Sequence, residues 1–506
     1  MTKTQGRLIK ILAALNILIF AGAAWLLWYV WPVLVESPIP VVPTSSFVVP
    51  VAAPTLTPET TEEEFAELDL ATPPRVIPAI SPSATLVLSR TSAVAAYMTP
   101  TPQDLIWPSK QLENNANSAA GEWGAPTPLP SVKLSPQQVN ILVMGADYQK
   151  GKGHWRTDTI VVITIDPVRQ TIRLLSIPRD LWVYIPGYGH ERINTADFLG
   201  ERTDVNNGRA DLIRQTIELN FGIPIHYFAR INYDAFEKII NTLGGVSVQV
   251  DCPLQETFQD SRSPTGWSHF SIEPGIHHMD GWTALVFARL RKTTSDFDRI
   301  RRQQAIMKGV WQGTLAADVI RDGPRLYGVL KDSVETDLNL QNILALGYVA
   351  VRVSPSSIRS YYVDRSMVRS WTTPAGAAVL LPVPEHIAET VQDMFSDREA
   401  VEEIVEHEKA RVKILDGIGN PDKADLLASQ LRWKGLRVVR VEPADTTDYA
   451  QSVIIDYGTF EKKQSLDCLC EVLGVAPESV EKVTDPTSTV DFLVIVGNSY
   501  DPCNLR

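Results

Sequence analysis

Six basic residues crowd the stretch FARLRKTTSDFDRIRRQQ (Phe287 to Gln304): Arg289, Arg291, Lys292, Arg299, Arg301 and Arg302, against only Asp296 and Asp298. The chain as a whole leans the other way, with 47 Lys and Arg against 59 Asp and Glu and a formal net charge of −12. A solvated helix face interleaves opposite charges more evenly than this run does. Guanidinium forks bind phosphate oxygens bidentately, so two or three converging arginines form a clamp for a pyrophosphate. Arg289 and Arg291 alternate as on an extended segment and so point the same way, while Arg299, Arg302 and Gln303 recur at helical spacing on one face. Upstream, Asp147 and Asp158 stand at the ends of predicted strands, and Arg179-Asp180 and Arg192 follow in SIPRD and ERINTAD. Two strand-end carboxylates suit Mg²⁺ (or Mn²⁺), which takes a few carboxylate and phosphate oxygens and fills its shell with water. Any one of these residues alone reads as a cap or a surface pair. Neither the arginines nor the carboxylates by themselves establish the other group's role.

The elements that must position them follow from periodicity. NILVMGAD (Asn140–Asp147), TIVVITID (Thr159–Asp166) and TIRLLSIP (Thr171–Pro178) are short β-branched runs separated by turn chemistry, and each reads as a strand. Asp211 to Phe221 and Tyr233 to Leu243 place their apolar residues on helical stripes, Gly244-Gly245 supplies a stop, and VSVQV (Val246–Val250) alternates as a further strand. This mixture predicts an α/β domain, a central mixed sheet flanked by helices, over 138–397. After a charged hinge at 398–410, the runs RVKILDG, LRVVRV, SVIIDYG and DFLVIVG alternate with helical patterns and predict a small second α/β domain over 411–500.

Residues 11–35 carry no charge over a length sufficient to cross a bilayer, which needs roughly 20 residues. Lys3, Arg7 and Lys10 precede the run and Glu36 follows it, so the expectation is a cytoplasmic tail at 1–10, a transmembrane helix at 11–35 and everything later outside the membrane. A cleaved signal peptide with its cut near Ala21 to Ala24 is the alternative. Sixteen of the 35 prolines and only five aromatic residues fall between Glu36 and Ser135. Such a segment cannot bury enough apolar surface to offset its ordering entropy, so 36–137 is expected to be a disordered tether. The acidic total argues against a surface built for nucleic acid.

Four cysteines are too few for a disulfide scaffold. Cys252 reads as a small buried residue in a strand, and Cys503 is expected to pair with Cys468 or Cys470 on an oxidising side of the membrane. His277-His278 is an adjacent pair, a poor geometry for shared metal ligation, and reads as structural. The YQKGKGHW loop after Asp147 lacks the Ser or Thr of a phosphate-binding P-loop, and DGIGNPDKAD (Asp416–Asp425) lacks the third glycine of a dinucleotide turn.

At these motifs the chain resembles the LytR-CpsA-Psr (LCP) family. The segments that carry the resemblance are NILVMGAD, RTDTIVVITIDP (Arg156–Pro167), LLSIPRDLWVYIPG (Leu174–Gly187), RINTAD (Arg192–Asp197), the run from Asn220 to Pro253, the run from Gly275 to Gln304, and TDLNLQNILALG (Thr336–Gly347). The resemblance implies an LCP-type α/β sandwich that moves a glycan-1-phosphate from a polyprenyl-pyrophosphate carrier, its lipid in an apolar groove, to a peptidoglycan hydroxyl or another envelope acceptor. It implies Asp147 and Asp158 as the metal-associated carboxylates, with Arg179, Arg192, Arg289, Arg291 and Arg299 on phosphate and Gln303 beside them. One of the two aspartates is the candidate base, and Arg156 is a weaker phosphate ligand. Arg192 stands where relatives have Lys, and Asp298 stands where many have Gly, which adds a negative charge one residue from Arg299. The 411–500 segment resembles the LytR C-terminal domain. Two other functions compete with this one: a non-catalytic binder of envelope lipid pyrophosphates or glycans, and a membrane-bound transcriptional attenuator, the older view of the family. With about ten residues before the expected membrane helix and the basic cluster beyond it, the attenuator reading has no surface for DNA.

Overall fold

The protein is described from a computed structural model, which covers residues 129–504 apart from 136, 148–154, 204–209, 317–327, 329–330, 332–333, 459–461 and 486. The expected tail, transmembrane helix and nearly all of the tether lie outside the described residues, as does most of the loop after Asp147. Among the described residues no helix is long and apolar enough to cross a membrane.

A six-stranded mixed sheet runs, edge to edge, through Val334–Thr336, Tyr227–Ile231, Val139–Ala146, Thr157–Asp166, Thr171–Ser176 and Ile358–Tyr362. Successive residues of a strand face opposite sides, and this sheet is apolar on both. Leu142, Met144, Ile160, Val162 and Leu175 pack on one side with Ile213, Ile217 and Val391 of the helices Asp211–Phe221 and Pro384–Met394. Ile141, Val161, Ile165, Ile172 and Leu174 pack on the other with Trp311, Leu346 and Val349, from the helices Asp296–Ala316 and Leu340–Ala350. The result is a helix-sheet-helix sandwich.

A third apolar cluster stands beside it. Val246, Val248 and Val250 pair with the strand Gly275–Met279 rather than with the main sheet, and they pack with Leu254, Ile272 and Phe287. Here His277 and His278 bond through Nε2 to the backbone oxygens of Glu273 and Gly244. Among the described residues no group of three or more His, Cys, Asp or Glu could hold a metal.

Residues 411–496 form a separate five-stranded sheet, ordered Arg437–Pro443, Arg411–Asp416, Phe492–Val496, Val453–Asp456 and Glu481–Lys482. The helices Pro421–Trp433 and Lys463–Leu473 contribute to its core. The charged hinge contains a helix, Val401–Glu408.

The cysteine expectation is corrected. Cys503 is bonded to Cys252, with Cα atoms 4.8 Å apart, and Cys468 and Cys470 are free and buried. The latter two sit on the Lys463–Leu473 helix in the core of their own sheet, where burial pushes the Cys468 thiol up to about 12. The chain end instead returns through buried Tyr500, whose hydroxyl donates to Gln430 Oε1 at 2.5 Å. Gln430 in turn donates to Asp251, next to Cys252, at 2.9 Å. This bonded chain of side chains delivers Cys503 to a partner 251 residues away. Denatured without reductant, the protein is expected to titrate two thiols, Cys468 and Cys470, and four after reduction. A non-reducing digest should yield one linked peptide pair containing Cys252 and Cys503.

Candidate phosphate-binding site

The site gathers at one end of the central sheet. Asp147 follows the strand Val139–Ala146, and Asp158 is the second residue of its antiparallel neighbour, Thr157–Asp166. The Asp147 backbone N–H donates to the Arg156 carbonyl at 3.2 Å, and its side-chain Oδ1 accepts from the Arg156 N–H at 2.6 Å. The strand Thr171–Ser176 ends short of Arg179, which lies in the following turn and donates from Nη1 to Asp158 Oδ1 at 2.6 Å. Burial pulls the Arg179 guanidinium down, but Asp158 and Asp180 outweigh it and hold the group above its ordinary value.

Arg299 enters from the helix Asp296–Ala316. Its Nη2 lies 2.7 Å from Asp296 Oδ1 and donates to the Asp158 carbonyl at 3.4 Å. Only 3% of Arg299 is exposed, and burial pulls it below its ordinary value, against the attraction of Asp296. Arg291 Nη1 approaches the same Asp296 oxygen at 3.4 Å with 43% of its side chain exposed. Asp298, the departure one residue before Arg299, does not disturb the turn. Its Oδ2 accepts from the Ser295 N–H at 3.0 Å and Oγ at 2.7 Å, and its own N–H donates back to Ser295 Oγ at 3.1 Å, which closes the start of the helix.

Arg289 ends a helix, Gly281–Arg289, and only at Leu290 does the backbone become extended, so the expected alternation of Arg289 with Arg291 on an extended segment is corrected. The Arg289 guanidinium lies over the Tyr233 ring, 4.3 Å from its centroid. Burial chiefly raises the Tyr233 hydroxyl, Arg289 opposes this, and the charges of Asp158 and Asp147 add to it. Tyr233 therefore lies beneath an arginine and within electrostatic reach of both carboxylates. The sequence reading missed it, although its position at the head of a helix that follows the strand Tyr227–Ile231 is where open sheets place ligands.

The remaining candidates are less central. Arg192 Nε lies 3.6 Å from Asp180 Oδ1 and its Nη2 donates to the Ala378 carbonyl at 2.6 Å, so it joins the cluster through Asp180. Gln303 donates to the Ala288 carbonyl at 3.3 Å. Arg302, on the same helix face, donates to the Phe287 and Leu290 carbonyls and to Thr294 Oγ1, and so caps the end of the preceding helix. Lys292 lies 5.6 Å from the Trp267 ring centroid, and Arg301 reaches Asp298 at 3.8 Å. The basic run thus divides between the carboxylate cluster and structural work.

One buried pair ties these pieces together. Asp197 is 0% exposed and Arg230 4%. Asp197 Oδ1 accepts from Arg230 Nη2 at 2.6 Å, and Oδ2 accepts from Arg230 Nε at 3.0 Å, Trp155 Nε1 at 3.1 Å and Thr157 Oγ1 at 3.2 Å. Burial pulls Arg230 down, but Asp197 and Glu335 reverse this and hold it well above its ordinary value.

For a divalent cation, the donor set is two carboxylates that each keep Oδ2 without a bond among the described residues. That is a fit for Mg²⁺ only together with phosphate oxygens and water. The arrangement can neutralise a pyrophosphate and place it beside a carboxylate able to take a hydroxyl proton.

A sequence model of the LytR_cpsA_psr family matches residues 109–394. The chain is 32% identical over 213 residues to "Regulatory protein MsrR" of Staphylococcus aureus (strain COL), a match that covers 42% of this chain and 59% of that protein. It is 31% identical over 210 residues to the "Polyisoprenyl-teichoic acid--peptidoglycan teichoic acid transferase TagU" of Oceanobacillus iheyensis, covering 41% of this chain and 61% of that protein. The chain thus spans about three fifths of the length of these curated relatives. Among solved structures, TagV of B. subtilis is 27% identical with a TM-score of 0.42, and the match covers 51% of this chain and 97% of that one.

Removing one member of a buried ion pair strands the other without solvent. Asp197→Ala is therefore expected to lower unfolding free energy by about 3–5 kcal/mol, measured by urea denaturation. Asp197→Asn, which keeps an acceptor, should cost less.

Proposed function

The chain belongs to the LytR_cpsA_psr family, and we propose that it is a membrane-anchored, extracytoplasmic phosphotransferase. Its donor is a glycopolymer on a polyprenyl pyrophosphate, and its acceptor is an envelope hydroxyl of the peptidoglycan type. The name of the TagU relative describes transfer of teichoic acid from a polyisoprenyl carrier to peptidoglycan, and this reading extends that kind of reaction to the present chain. The observation that carries it is the continuous charge network from Arg192 through Asp180, Arg179 and Asp158 to Arg299, Asp296 and Arg291. The anchor is the apolar run at 11–35, and residues 411–500 are a domain of the LytR C-terminal type.

In this reading Arg179, Arg289, Arg291 and Arg299 hold the two phosphates, with Arg192 and Gln303 at the margin. Asp147 and Asp158 would hold Mg²⁺, which supplies charge neutralisation on the pyrophosphate when bound. The acceptor oxygen attacks the glycan-side phosphorus, the bridging P–O bond breaks, and polyprenyl phosphate leaves with the electron pair. The hydroxyl proton passes to one of the two carboxylates. Positioning and charge neutralisation supply most of the catalysis in such transfers. A non-catalytic binder would keep the clamp but would not turn over its ligand.

The double variant Arg289→Ala plus Arg291→Ala is expected to lower Mg²⁺-dependent phosphate release from farnesyl pyrophosphate, and glycan transfer from a full donor, by about a thousandfold or more. Its thermal unfolding should match the parent, because Arg291 is solvent-facing and Arg289 ends its helix on the surface of a ring. Unchanged turnover would remove the assignment. Binding without any release by the parent protein would favour the binder.

A further inference from the structure

The loop between the helices Gly281–Arg289 and Asp296–Ala316 carries Arg291, and its backbone is held from two sides by side chains that the proposed chemistry does not use. On one side Arg302 takes the Phe287 and Leu290 carbonyls and Thr294 Oγ1. On the other stands Glu256, in the middle of the strand Leu254–Gln259 and only 4% exposed. Its Oε2 accepts from the Lys292 N–H at 2.8 Å and from the Thr293 N–H at 3.4 Å. A carboxylate on two consecutive amides is a charge-assisted anchor, stronger than a neutral bond, and it sits immediately after Arg291 in the chain.

The anchor is itself rigid. Glu256 lies opposite Phe270 in the hairpin with Trp267–Ile272, and the Phe270 ring packs 6.4 Å from that of Phe287 in the preceding helix. Lys292 completes the contact from the loop side, above the Trp267 ring. Arg291, by contrast, has a half-exposed side chain and one carboxylate partner at 3.4 Å, too loose to fix a guanidinium on its own. An arginine that must meet a phosphate bidentately needs its backbone held, since a displacement of about 1 Å can cost on the order of a hundredfold in rate.

We propose that Glu256 is a positioning residue for the phosphotransfer site: it fixes the 292–293 backbone and thereby sets the aim of Arg291. The proposal rests on the phosphotransferase reading. Glu256→Ala is expected to lower turnover of farnesyl pyrophosphate between about tenfold and a hundredfold and to speed hydrogen exchange at the Lys292 and Thr293 amides. Glu256→Gln, whose carbonyl still accepts from both amides, should recover most of the loss.

The deciding measurement is a double-mutant cycle. If Glu256 acts through Arg291, then Glu256→Ala in the Arg291→Ala background adds little further loss. A fully additive loss, or wild-type turnover and unchanged exchange in Glu256→Ala, overturns the proposal. Should Glu256→Ala fail to fold, the same cycle with Glu256→Gln decides, with a smaller loss expected that again vanishes without Arg291. A parent protein with no turnover fails the phosphotransferase reading instead, and amide exchange then still decides whether Glu256 fixes the loop.

Discussion

The carboxylate of Asp197 accepts four bonds from two segments of chain, Trp155–Thr157 and Arg230, and so joins them to its own helix. Taking a carboxylate and a guanidinium out of water costs several kcal/mol for each ion, so such a pair stands only where nearly every lone pair and N–H is used. Here they are: Arg230 spends its remaining capacity on Glu335 at 2.6 Å and lies between the Trp155 and Phe228 rings. The consequence reaches the site through covalent adjacency. Thr157 precedes Asp158, Trp155 precedes Arg156, and Arg230 lies three residues before Tyr233. Fixing Asp197 in the helix Ala196–Thr203 therefore fixes the strand ends from which the site residues project.

Much of this was legible because it is periodic. The strands Val139–Ala146 and Thr157–Asp166, and the helices Asp211–Phe221 and Tyr233–Thr242, fall where apolar spacing puts them. Period 2 and period 3.6 report burial directly. Asp147 and Asp158 could be singled out because polar residues at strand ends break that pattern. The direction in which a long side chain turns has no such signature. Arg299 and Arg302 lie on one helix face, yet one meets Asp296 and the other the carbonyls of Phe287 and Leu290, and the choice is set by how the preceding loop folds back on the helix. Asp197 read as one more acid in a motif, since its partner Arg230 is 33 residues away. The pairing of Cys252 with Cys503 was hidden for the same reason: two sheets must dock before those sulfurs are neighbours.

The helix Asp296–Ala316 joins the two ends of this organisation. Its first turn presents Asp296 and Arg299 to the site. Farther along, Trp311 packs 5.6 Å from Trp433, and Lys308 lies 4.8 Å from the same ring, so the helix also carries part of the seam with the C-terminal sheet. Burial there pushes the Lys308 ammonium down to about 8. Ser429 and Gln430 bond to Gln249 and Asp251 beside the disulfide, and Glu402 pairs with Lys434 at 3.0 Å. The second sheet thus meets the helix Asp296–Ala316 through rings, and the end of the strand Val246–Val250 through hydrogen bonds and one covalent link. The disulfide closes a very long loop, which is the situation in which a cross-link removes the most freedom from the unfolded chain.

Charge in the site is nearly balanced among its own side chains. Arg179 faces Asp158 and Asp180, while Arg299 and Arg291 share Asp296. Yet Arg299 Nε, Arg192 Nε and Asp296 Oδ2 are buried without a hydrogen-bond partner among the described residues. Such atoms are not confined to the site, since Arg173 Nε, Arg214 Nε and Arg359 Nε share the condition, and Arg192 Nε keeps an ionic partner in Asp180 at 3.6 Å. On the proposed reading, a pyrophosphate meeting half-exposed Arg291 would compete for the arginines that Asp158 and Asp296 now hold, and would release those carboxylates as it did so. Placement of the anion and liberation of a nearby base would then be one event in that reading, because the same arginines answer to both.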